Sequence, residues 1–521
     1  MAGVREEIAI EVGLDEPTDD AHLRRRVARA LRIDEGALPE LALVKRSIDA
    51  RRGSVRFHYV FAVGAQPATD LGAPHPREVG PRRVVIVGTG PAGLFCAYEL
   101  ARRGIGSVLL DRGKTVQPRR HDLKGLHQRG EVDPDSNYCF GEGGAGTYSD
   151  GKLYTRAHKR GSVRDVIEIL ARHGAPEDIL TNARPHIGSN RLPKVISSMR
   201  AELQKVGVEF RFGARVVGLL AERGSARGVR LADGSEVTGD AVVLATGHSA
   251  SDVLEWLQPL VHLEPKSFAL GVRIEHPQPV INRIQYGKHA GHPSLPAAAY
   301  RLAETVDARG VFSFCMCPGG FIVPAATVPG GLVVNGMSLS SRGSRYANAG
   351  LVVAVEVEDL AGAGFHGPLA GIALQRRIES AAFDAGGGKL RAPATRVTDF
   401  LASRASSTVP KTSYIPGIAA TNVAEVLDCA GLPFAARLRE ALRAFERTLR
   451  GYVTDEAVLV GVESRTSSPV RVPRDPETLQ SPDLGGLYPA GEGAGYAGGI
   501  MSAAMDGARI AAAIATRLAF D

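Results

Sequence analysis

The feature that most restricts the fold of this chain is a glycine-rich turn between a short apolar strand and a helix. The segment RRVVIVGTGPAGLFCAYELARRG, followed by SVLLD, has the order strand, turn, helix, strand. Gly88, Gly90 and Gly93 have the GxGxxG spacing, in which the first glycine allows a tight turn, the second lets backbone approach a pyrophosphate, and the third lets helix pack on strand. Asp111 ends the second strand, where an acidic residue is expected to accept hydrogen bonds from a ribose. The segment therefore predicts a Rossmann-type dinucleotide site, with the pyrophosphate at the helix N-terminus.

The length of 521 residues predicts several folding units, because a single hydrophobic core does not grow this large. Alternating helices and apolar strands predict an α/β fold with a mostly parallel sheet. Changes in pattern divide the chain into an N-terminal α+β module, a linker rich in Pro and Gly, a nucleotide domain, an inserted α+β substrate domain, and a return to the nucleotide domain. These units are predicted at 1–65, 66–81, 82–252, 253–454 and 455–521. Within the first, we expect a strand at 8–12, a helix at 21–31 and a hairpin at 41–63.

Composition narrows the class of protein and its partners. The net charge of +7 lies in short clusters such as Arg24–Arg26 and Arg119–Arg120, which we interpret as solvated faces. Without a nucleic-acid module, a polynucleotide partner is not expected. Five cysteines, an odd number in a long chain, indicate reduced thiols. The sequence has no stretch long and apolar enough to span a bilayer and no signal peptide, which predicts a cytoplasmic protein without a membrane partner.

Three further segments favour FAD as the dinucleotide. The ATG turn after the strand AVVL is similar to the second turn motif of two-dinucleotide-binding flavoproteins. The GE pair in LYPAGEGAGYAGG is similar to their distal Gly-Asp motif, with Glu in place of Asp, and the helix after it would direct its N-terminus at the negative charge of reduced flavin. FGEGGAGTYSDGKL is similar to a flavin-proximal glycine-rich loop. Beyond the first turn and Asp111, the predicted FAD-binding residues are Pro91, Ala92, Arg112, Gly143, Gly144, Ser149, Gly151, Lys152, Val216, Ala245, Thr246, Gly247, Gly491, Glu492, Gly498, Gly499 and Ile500.

Together these segments resemble the uncharacterised bacterial FAD-dependent dehydrogenase family of NAD(P)/FAD-dependent oxidoreductases. The resemblance extends to LATGHSASD, KSFALGVRIEHPQ, FSFCMCPGG, VNGMS and GVESRTSSPVRV. It implies a Rossmann-like FAD-binding domain of the two-dinucleotide-binding flavoprotein type, an inserted α+β substrate domain and a small N-terminal α+β module. A second GxGxxG for NAD(P) is absent from 253–454, so NAD(P)H, if it is used, is expected to dock only transiently as a reductant.

Three groups are candidates for chemistry beside the flavin. Cys315 and Cys317 in FCMCPGG have four interpretations: a redox pair, one nucleophile, half of a metal site, or buried small hydrophobes. Two thiolates alone make a poor zinc site, so no metal is predicted. His248 follows the ATG turn as a proton carrier or as a structural histidine. Glu463 and Arg465, at i and i+2, are predicted on the same side of a strand, where they orient a polar substrate or pair with each other.

The leading hypothesis for function is hydride transfer between FAD and a small organic substrate. A flavin-dependent monooxygenase is a second possibility, since the same cofactor supports oxygen chemistry. A tRNA-modifying flavoprotein, suggested only by the basic net charge, and a non-catalytic flavin-binding scaffold are the remaining alternatives.

Overall fold

The N-terminal unit of the computed structural model is a three-stranded antiparallel sheet with one helix packed on it. Its elements are β1 (Glu7–Gly13), α1 (Asp20–Leu31), β2 (Leu41–Asp49) and β3 (Arg56–Val63), with the strand order β1–β3–β2. Phe57, Tyr59 and Phe61 alternate along β3 and are buried with Val27 of α1, as a period-two strand pattern requires. The strand, helix and hairpin pairing therefore agree with the prediction.

The structure describes residues 7–50, 55–64, 75–155 and 161–520. Residues 51–54 of the predicted hairpin turn and 65–74 of the predicted linker lie outside these ranges. Within the described part of the chain, no helix is long and apolar enough to cross a membrane.

The first part of the nucleotide domain begins with the βαβ unit. Its elements are β4 (Arg83–Val87), α2 (Pro91–Arg102), β5 (Gly106–Asp111), α3 (Val116–Arg129), α4 (Val163–Arg172), α5 (Leu192–Lys205), β6 (Glu209–Phe212), β7 (Val216–Glu222), β8 (Ser225–Leu231), β9 (Glu236–Thr238), β10 (Ala241–Leu244) and α6 (Ser251–Leu257). Strands β7 to β9 form their own antiparallel sheet.

The inserted domain is built on a seven-stranded, largely antiparallel sheet. Its elements are β11 (Glu264–Pro265), β12 (Phe268–Pro277), α7 (Gln278–Tyr286), β13 (Ala303–Val306), β14 (Arg309–Cys317), β15 (Gly320–Pro324), β16 (Val334–Ser338), β17 (Tyr346–Val355), α8 (Val357–Gly362), α9 (Ala370–Ala385), β18 (Ala392–Arg396), α10 (Val397–Leu401), β19 (Ile418–Ala420), α11 (Val423–Asp428), α12 (Phe434–Thr448) and β20 (Val458–Glu463). The strand order of the large sheet is β13–β14–β17–β12–β20–β18–β19, while β15 and β16 pair with each other.

The end of the insertion differs from the predicted boundary at 454. Strand β20 is hydrogen-bonded between β12 and β18, so it belongs to the inserted sheet and not to the nucleotide domain. A central strand needs ladder partners on both edges, which a local sequence pattern does not reveal. The insertion therefore continues through Glu463.

The chain then returns to complete the nucleotide domain with β21 (Val470–Arg471), β22 (Leu487–Pro489) and α13 (Ile500–Phe520). The completed five-stranded parallel sheet has the order β22–β10–β4–β5–β6, with β4 at its centre. The apolar side chains of α2 and α13 share one buried cluster on one face of this sheet. The predicted fold class is confirmed.

We expect Gly507→Ala to destabilise the protein, because a Cβ at Gly507 of α13 would lie 2.0 Å from the carbonyl oxygen of Ala92 in α2. Overpacking of this kind costs about 1–3 kcal/mol. Thermal unfolding of the flavin-free protein measures the effect. The matched control is Gly362→Ala at the end of α8, where a Cβ meets no atom within 4 Å. Equal unfolding temperatures for the two variants would contradict the close contact between α2 and α13.

Candidate cofactor and active site

The three glycines of the turn after β4 have different surroundings. A Cβ at Gly88, whose φ is 106°, would lie 2.3 Å from the carbonyl oxygen of Ala245, and one at Gly93 would lie 2.0 Å from that of Gly88. At Gly90 the nearest atom to an added Cβ is the Cα of Gly144, 4.0 Å away. The first and third glycines are therefore required by the fold, whereas the second leaves space in front of α2.

That space is part of a cleft of about 390 Å³ between the parallel sheet and the inserted domain. The inserted domain contributes Phe314, Cys315 and Asn335, and Arg465 lies just beyond β20. The predicted cofactor residues that line the cleft are Gly88, Gly90, Pro91, Ala92, Asp111, Arg112, Gly144, Ser149, Gly151, Lys152, Val216, Ala245, Thr246, Gly247, Glu492, Gly498, Gly499 and Ile500. Gly93, Gly143 and Gly491 do not line it and support its walls from behind.

The cleft fits an extended dinucleotide in both shape and donors. The N-cap of α2 is Gly90, which has no side chain to cap the helix, so the first-turn N–H groups face the cleft. The start of α13, with Gly498, Gly499 and Ile500, faces the same space. Two helix N-termini favour a pyrophosphate at one and the negative charge of a reduced flavin at the other.

Asp111 has a second task besides the predicted contact with ribose. Its buried carboxylate accepts hydrogen bonds from the backbone N–H groups of Thr89, Gly113 and Gly141 at 3.0, 2.9 and 3.0 Å, and from the Thr89 hydroxyl at 2.5 Å. The carboxylate therefore joins the turn after β4, the end of β5 and the 137–144 loop. Loss of this side chain would disturb the shape of the cleft as well as any ribose contact.

Arg119 contradicts the interpretation of its cluster as a solvated face. Its side chain is fully buried, and the guanidinium donates to the carbonyl oxygens of Asn137, Tyr138, Glu142 and Gly144 at 2.8–3.0 Å. A buried cation needs such partners because desolvation is costly. Arg119 thus fixes the glycine-rich loop against the cleft. Its neighbours in sequence gave no sign of this, since the partners are carbonyls of a distant loop.

A buried ion pair, which the sequence analysis also missed, holds residues 491–493, the GEG turn, in place. Arg474 and Asp506 pair at 2.5 and 3.0 Å with both side chains buried. Asp506 also accepts the N–H of Gly491 at 2.8 Å, and Arg474 donates to the carbonyl oxygen of Pro489 at 2.9 Å. The pair thereby positions Glu492 at the cleft wall.

Glu463 and Arg465 do not share a strand face or pair with each other, so that prediction is wrong. Strand β20 ends at Glu463, whose buried carboxylate binds Arg273 at 2.9 and 3.0 Å. Arg465 binds Glu379 through two N–H groups at 2.8 and 2.9 Å. Their partners lie on different elements, Arg273 on β12 and Glu379 on α9. Only Arg465 lines the cleft, so Glu463 has no direct access to a ligand there.

A second cavity of about 90 Å³ adjoins the cleft. His248, Arg465 and Cys315 line both spaces. Nδ1 of His248 lies 3.5 Å from a carboxylate oxygen of Glu492. The remaining wall of the small cavity is mainly apolar or aromatic, with Tyr138, Cys139, Ala145, Tyr148, Val323, Ala325, Val333 and Val334. The arrangement provides a cation, an imidazole and a thiol around a small apolar space.

Cys315 and Cys317 lie at the end of β14, beside the cleft. Cys317 is fully buried, whereas Cys315 lines the cleft, and both are free thiols. The ammonium of Lys152 lies 3.5 Å from Sγ of Cys315 and 3.8 Å from Sγ of Cys317. In the described ranges no group of three or more His, Cys, Asp or Glu side chains could hold a metal ion. The side-chain partner that the two cysteines share is the ammonium of Lys152.

Comparison with known proteins identifies related sequences along most of the chain. Residues 82–129 match an FAD binding domain, residues 188–307 an FAD dependent oxidoreductase domain, and residues 267–466 the family described as FAD-dependent protein, C-terminal domain-like. Residues 4–64 match a domain of unknown function. An uncharacterised protein of Clostridium beijerinckii is 38% identical over 96% of this chain and 97% of its own length.

More distant similarities cover a smaller part of the chain or have a lower identity. An FAD-dependent monooxygenase, DEP2, of Fusarium langsethiae is 33% identical over 34% of this chain and 32% of that protein. Among solved structures, FqzB covers 86% of this chain and 79% of its own at 15% identity and a TM-score of 0.36. The GidA-related protein from Thermus thermophilus covers 84% of this chain and 100% of its own at 14% identity and a TM-score of 0.27.

We expect Gly90→Val to lose FAD while remaining folded, because its side chain would enter the space in front of α2, where an added Cβ comes no nearer than 4.0 Å to the protein. The ratio of flavin to protein absorbance in purified protein, with thermal unfolding of the flavin-free form, measures both effects. The matched control, Gly218→Val in β7, introduces the same side chain at a position where an added Cβ has no atom within 4 Å, and should keep its FAD. Full flavin content in Gly90→Val would show that the pyrophosphate is not at this turn.

Proposed function

Since the chain belongs to the FAD-dependent oxidoreductase family, we propose that it transfers hydride between FAD and a small anionic organic substrate. The observation that carries the proposal is the cavity of about 90 Å³ that shares Arg465, His248 and Cys315 with the cofactor cleft. A substrate in this cavity would meet a positive charge and a proton carrier next to the cofactor. Pockets of this kind, apolar with a few polar groups, are typical of small-molecule sites.

Arg465 is the residue that would bind the anionic group. Glu379 holds its Nε and Nη2, and the Thr327 hydroxyl accepts from its Nη1 at 2.6 Å. Three hydrogen bonds fix the plane of the guanidinium before a substrate arrives, so little conformational entropy is lost on binding. Side-chain N–H groups that these partners do not use remain for a carboxylate or a phosphate.

Bound FAD supplies a two-electron acceptor and donor, and the protein must supply the proton transfer that accompanies hydride transfer. His248 lies where both spaces meet, and its Nδ1 lies 3.5 Å from a carboxylate oxygen of Glu492. Tyr138, Tyr148 and Val323 close the far side of the small cavity and limit its water. His248 is thus our candidate for the group that accepts or donates the proton.

Monooxygenation of a substrate in the same cavity is the second candidate. The match to an FAD-dependent monooxygenase, over about a third of this chain, favours this reaction. The two reactions differ in their need for oxygen. Dehydrogenation reduces the flavin anaerobically with substrate alone, whereas monooxygenation requires an added reductant and consumes oxygen in proportion to hydroxylated product.

We expect some member of a panel of small organic acids to bleach the bound flavin under anaerobic conditions. The panel should contain 2-hydroxy acids, 2-amino acids and short unsaturated or saturated carboxylates, each compared with its methyl ester as the uncharged control. Loss of the oxidised-flavin absorbance with an acid, but not with its ester, would identify the substrate class. If NAD(P)H with oxygen is needed for every conversion, the hydride-transfer proposal is wrong.

We expect Arg465→Lys to retain FAD and to weaken binding of the substrate found in this screen. A lysine ammonium cannot donate the two parallel hydrogen bonds that a guanidinium gives to the anionic group of a substrate. Losing one charge-assisted hydrogen bond of about 1.5–3 kcal/mol corresponds to a rise in Kd of roughly ten- to a hundredfold. Rapid-reaction flavin reduction at varied substrate concentration separates binding from the reduction step. The control is Arg404→Lys, an exposed arginine that pairs with Asp399. Unchanged binding in Arg465→Lys would remove Arg465 from the site.

A further inference from the structure

Charged side chains surround Cys315 and Cys317. Both sulfur atoms face the ammonium of Lys152, at 3.5 and 3.8 Å. Lys152 also lies 3.6 Å from Asp150, which is bound at 3.0 Å by Arg342. Asp150 is therefore shared between two cations, and Lys152 has only part of a carboxylate to balance it.

Arg273 approaches the pair from the other side. Its Nη2 donates to the carbonyl oxygen of Cys315 at 2.8 Å, and its Nη1 binds Glu463 at 2.9 Å. The thiol cluster is thus formed by the two cysteines with Lys152, Asp150, Arg342, Arg273 and Glu463. Among the described residues, this cluster contains three cationic and two acidic side chains, and burial raises the pKa of Glu463 to about 8, so positive charge predominates around the two sulfur atoms.

The backbone turns the two thiols towards the same ammonium. Pairing between β14 and β17 shifts register between Phe314 and Cys317, and Cys315 has a φ of 43°, which is rare for a residue with a side chain. The hydrogen bond from Arg273 holds this conformation. Strained backbone of this kind concentrates at functional sites, where the surrounding structure maintains it.

The two thiols also differ in acidity. The neighbouring Cys317 thiol, with the charges of Lys152 and Arg273, holds the pKa of Cys315 well below its usual range despite burial. The Cys315 side chain and burial raise the pKa of Cys317 well above its usual range, and the Cys317 thiol donates to the carbonyl oxygen of Cys315 at 3.3 Å. Burial raises the pKa of Cys96, Cys139 and Cys429. The thiolate is therefore confined to the position that lines the cleft, and its neighbour keeps a proton.

We propose that Cys315 and Cys317 are a redox-active pair that exchanges two electrons with the flavin bound in the cleft. The inference rests on FAD binding and not on the organic substrate. In the oxidation step, the Cys315 thiolate and the Cys317 thiol form one S–S bond, and two electrons and the Cys317 proton pass to oxidised FAD. The products are the disulfide and the anionic reduced flavin, so charge and protons balance. The reverse step returns the thiolate and the thiol.

Cysteines two residues apart close a small ring, and small strained disulfides are the labile, catalytic kind. Such a bond would be easily reduced by a neighbouring flavin. Cys315 then gives electrons a route between the flavin and a thiol or disulfide at the cleft.

Anaerobic titration with dithionite tests the pair without any organic substrate. Wild-type protein and Cys139→Ser, which removes another cysteine of the cleft wall, are expected to take up two more electrons per flavin than Cys315→Ser and Cys317→Ser. During the titration, the number of alkylatable thiols per chain in denatured wild-type samples should rise by two. Equal electron uptake in all four proteins, with a constant thiol count in the wild type, overturns the proposal. If the variants lose FAD, the wild-type thiol count alone decides.

A second measurement addresses the thiolate in flavin-free protein whose cysteines have first been reduced. Iodoacetamide at about pH 6 should alkylate Cys315 faster than Cys139, because the thiolate and not the thiol reacts. Lys152→Met should raise the pKa of Cys315 and remove this advantage, with peptide mass analysis giving the rate for each site. Equal rates for Cys315 and Cys139 in the wild type contradict the charge assignment. If no organic acid bleaches the flavin, the proposed function fails, while both of these measurements remain informative.

Discussion

The nucleotide domain, which forms the flavin half of this molecule, depends on the close contact between its first helix, α2, and its last helix, α13. The backbone of Ala92 lies so near Gly507 that no Cβ fits between the helices. This contact brings the C-terminal segment against the βαβ unit, and the buried pair of Arg474 with Asp506 then fixes the GEG turn at the cleft wall. The cofactor site therefore exists only when segments from opposite ends of the chain have met, so folding of this half is a long-range event.

Local sequence patterns predicted the parts of the site whose causes are local. The βαβ unit, the spacing of Gly88, Gly90 and Gly93, and the helix near Gly499 follow from periodicity and turn chemistry, and they lie at the cleft. The errors share another cause. Arg119 and Glu463 have partners far away in sequence, so burial of the first and removal of the second from the cleft depended on tertiary contacts that a single sequence does not display.

Guanidinium groups that are fully buried, or in Arg465 mostly buried, shape the walls of the cleft. Arg119 binds four carbonyl oxygens, Arg273 binds Glu463, and Arg465 binds Glu379. Each would cost several kcal/mol if it were left without partners in a low-dielectric interior. Removing only the partner of such an arginine thus destabilises the protein more than removing both residues. This energetic penalty keeps each guanidinium group with its partners and so maintains the geometry of the cleft. Lys152 differs because its carboxylate is shared, which makes the sulfur atoms its main counterpart.

The N-terminal module contacts both the nucleotide domain and the inserted domain, away from the cleft. None of its described residues lines the cleft, and its hydrophobic cluster continues into Tyr286 and Leu295 of the inserted domain. On its other side, the backbone N–H of Arg46 donates to the carbonyl oxygen of Thr181 in the flavin half at 2.7 Å. Because Cys315 comes from the inserted side and Lys152 from the flavin side, the distance between thiol and ammonium depends on how these two sides are held together. The N-terminal module adds contacts to both sides of this arrangement.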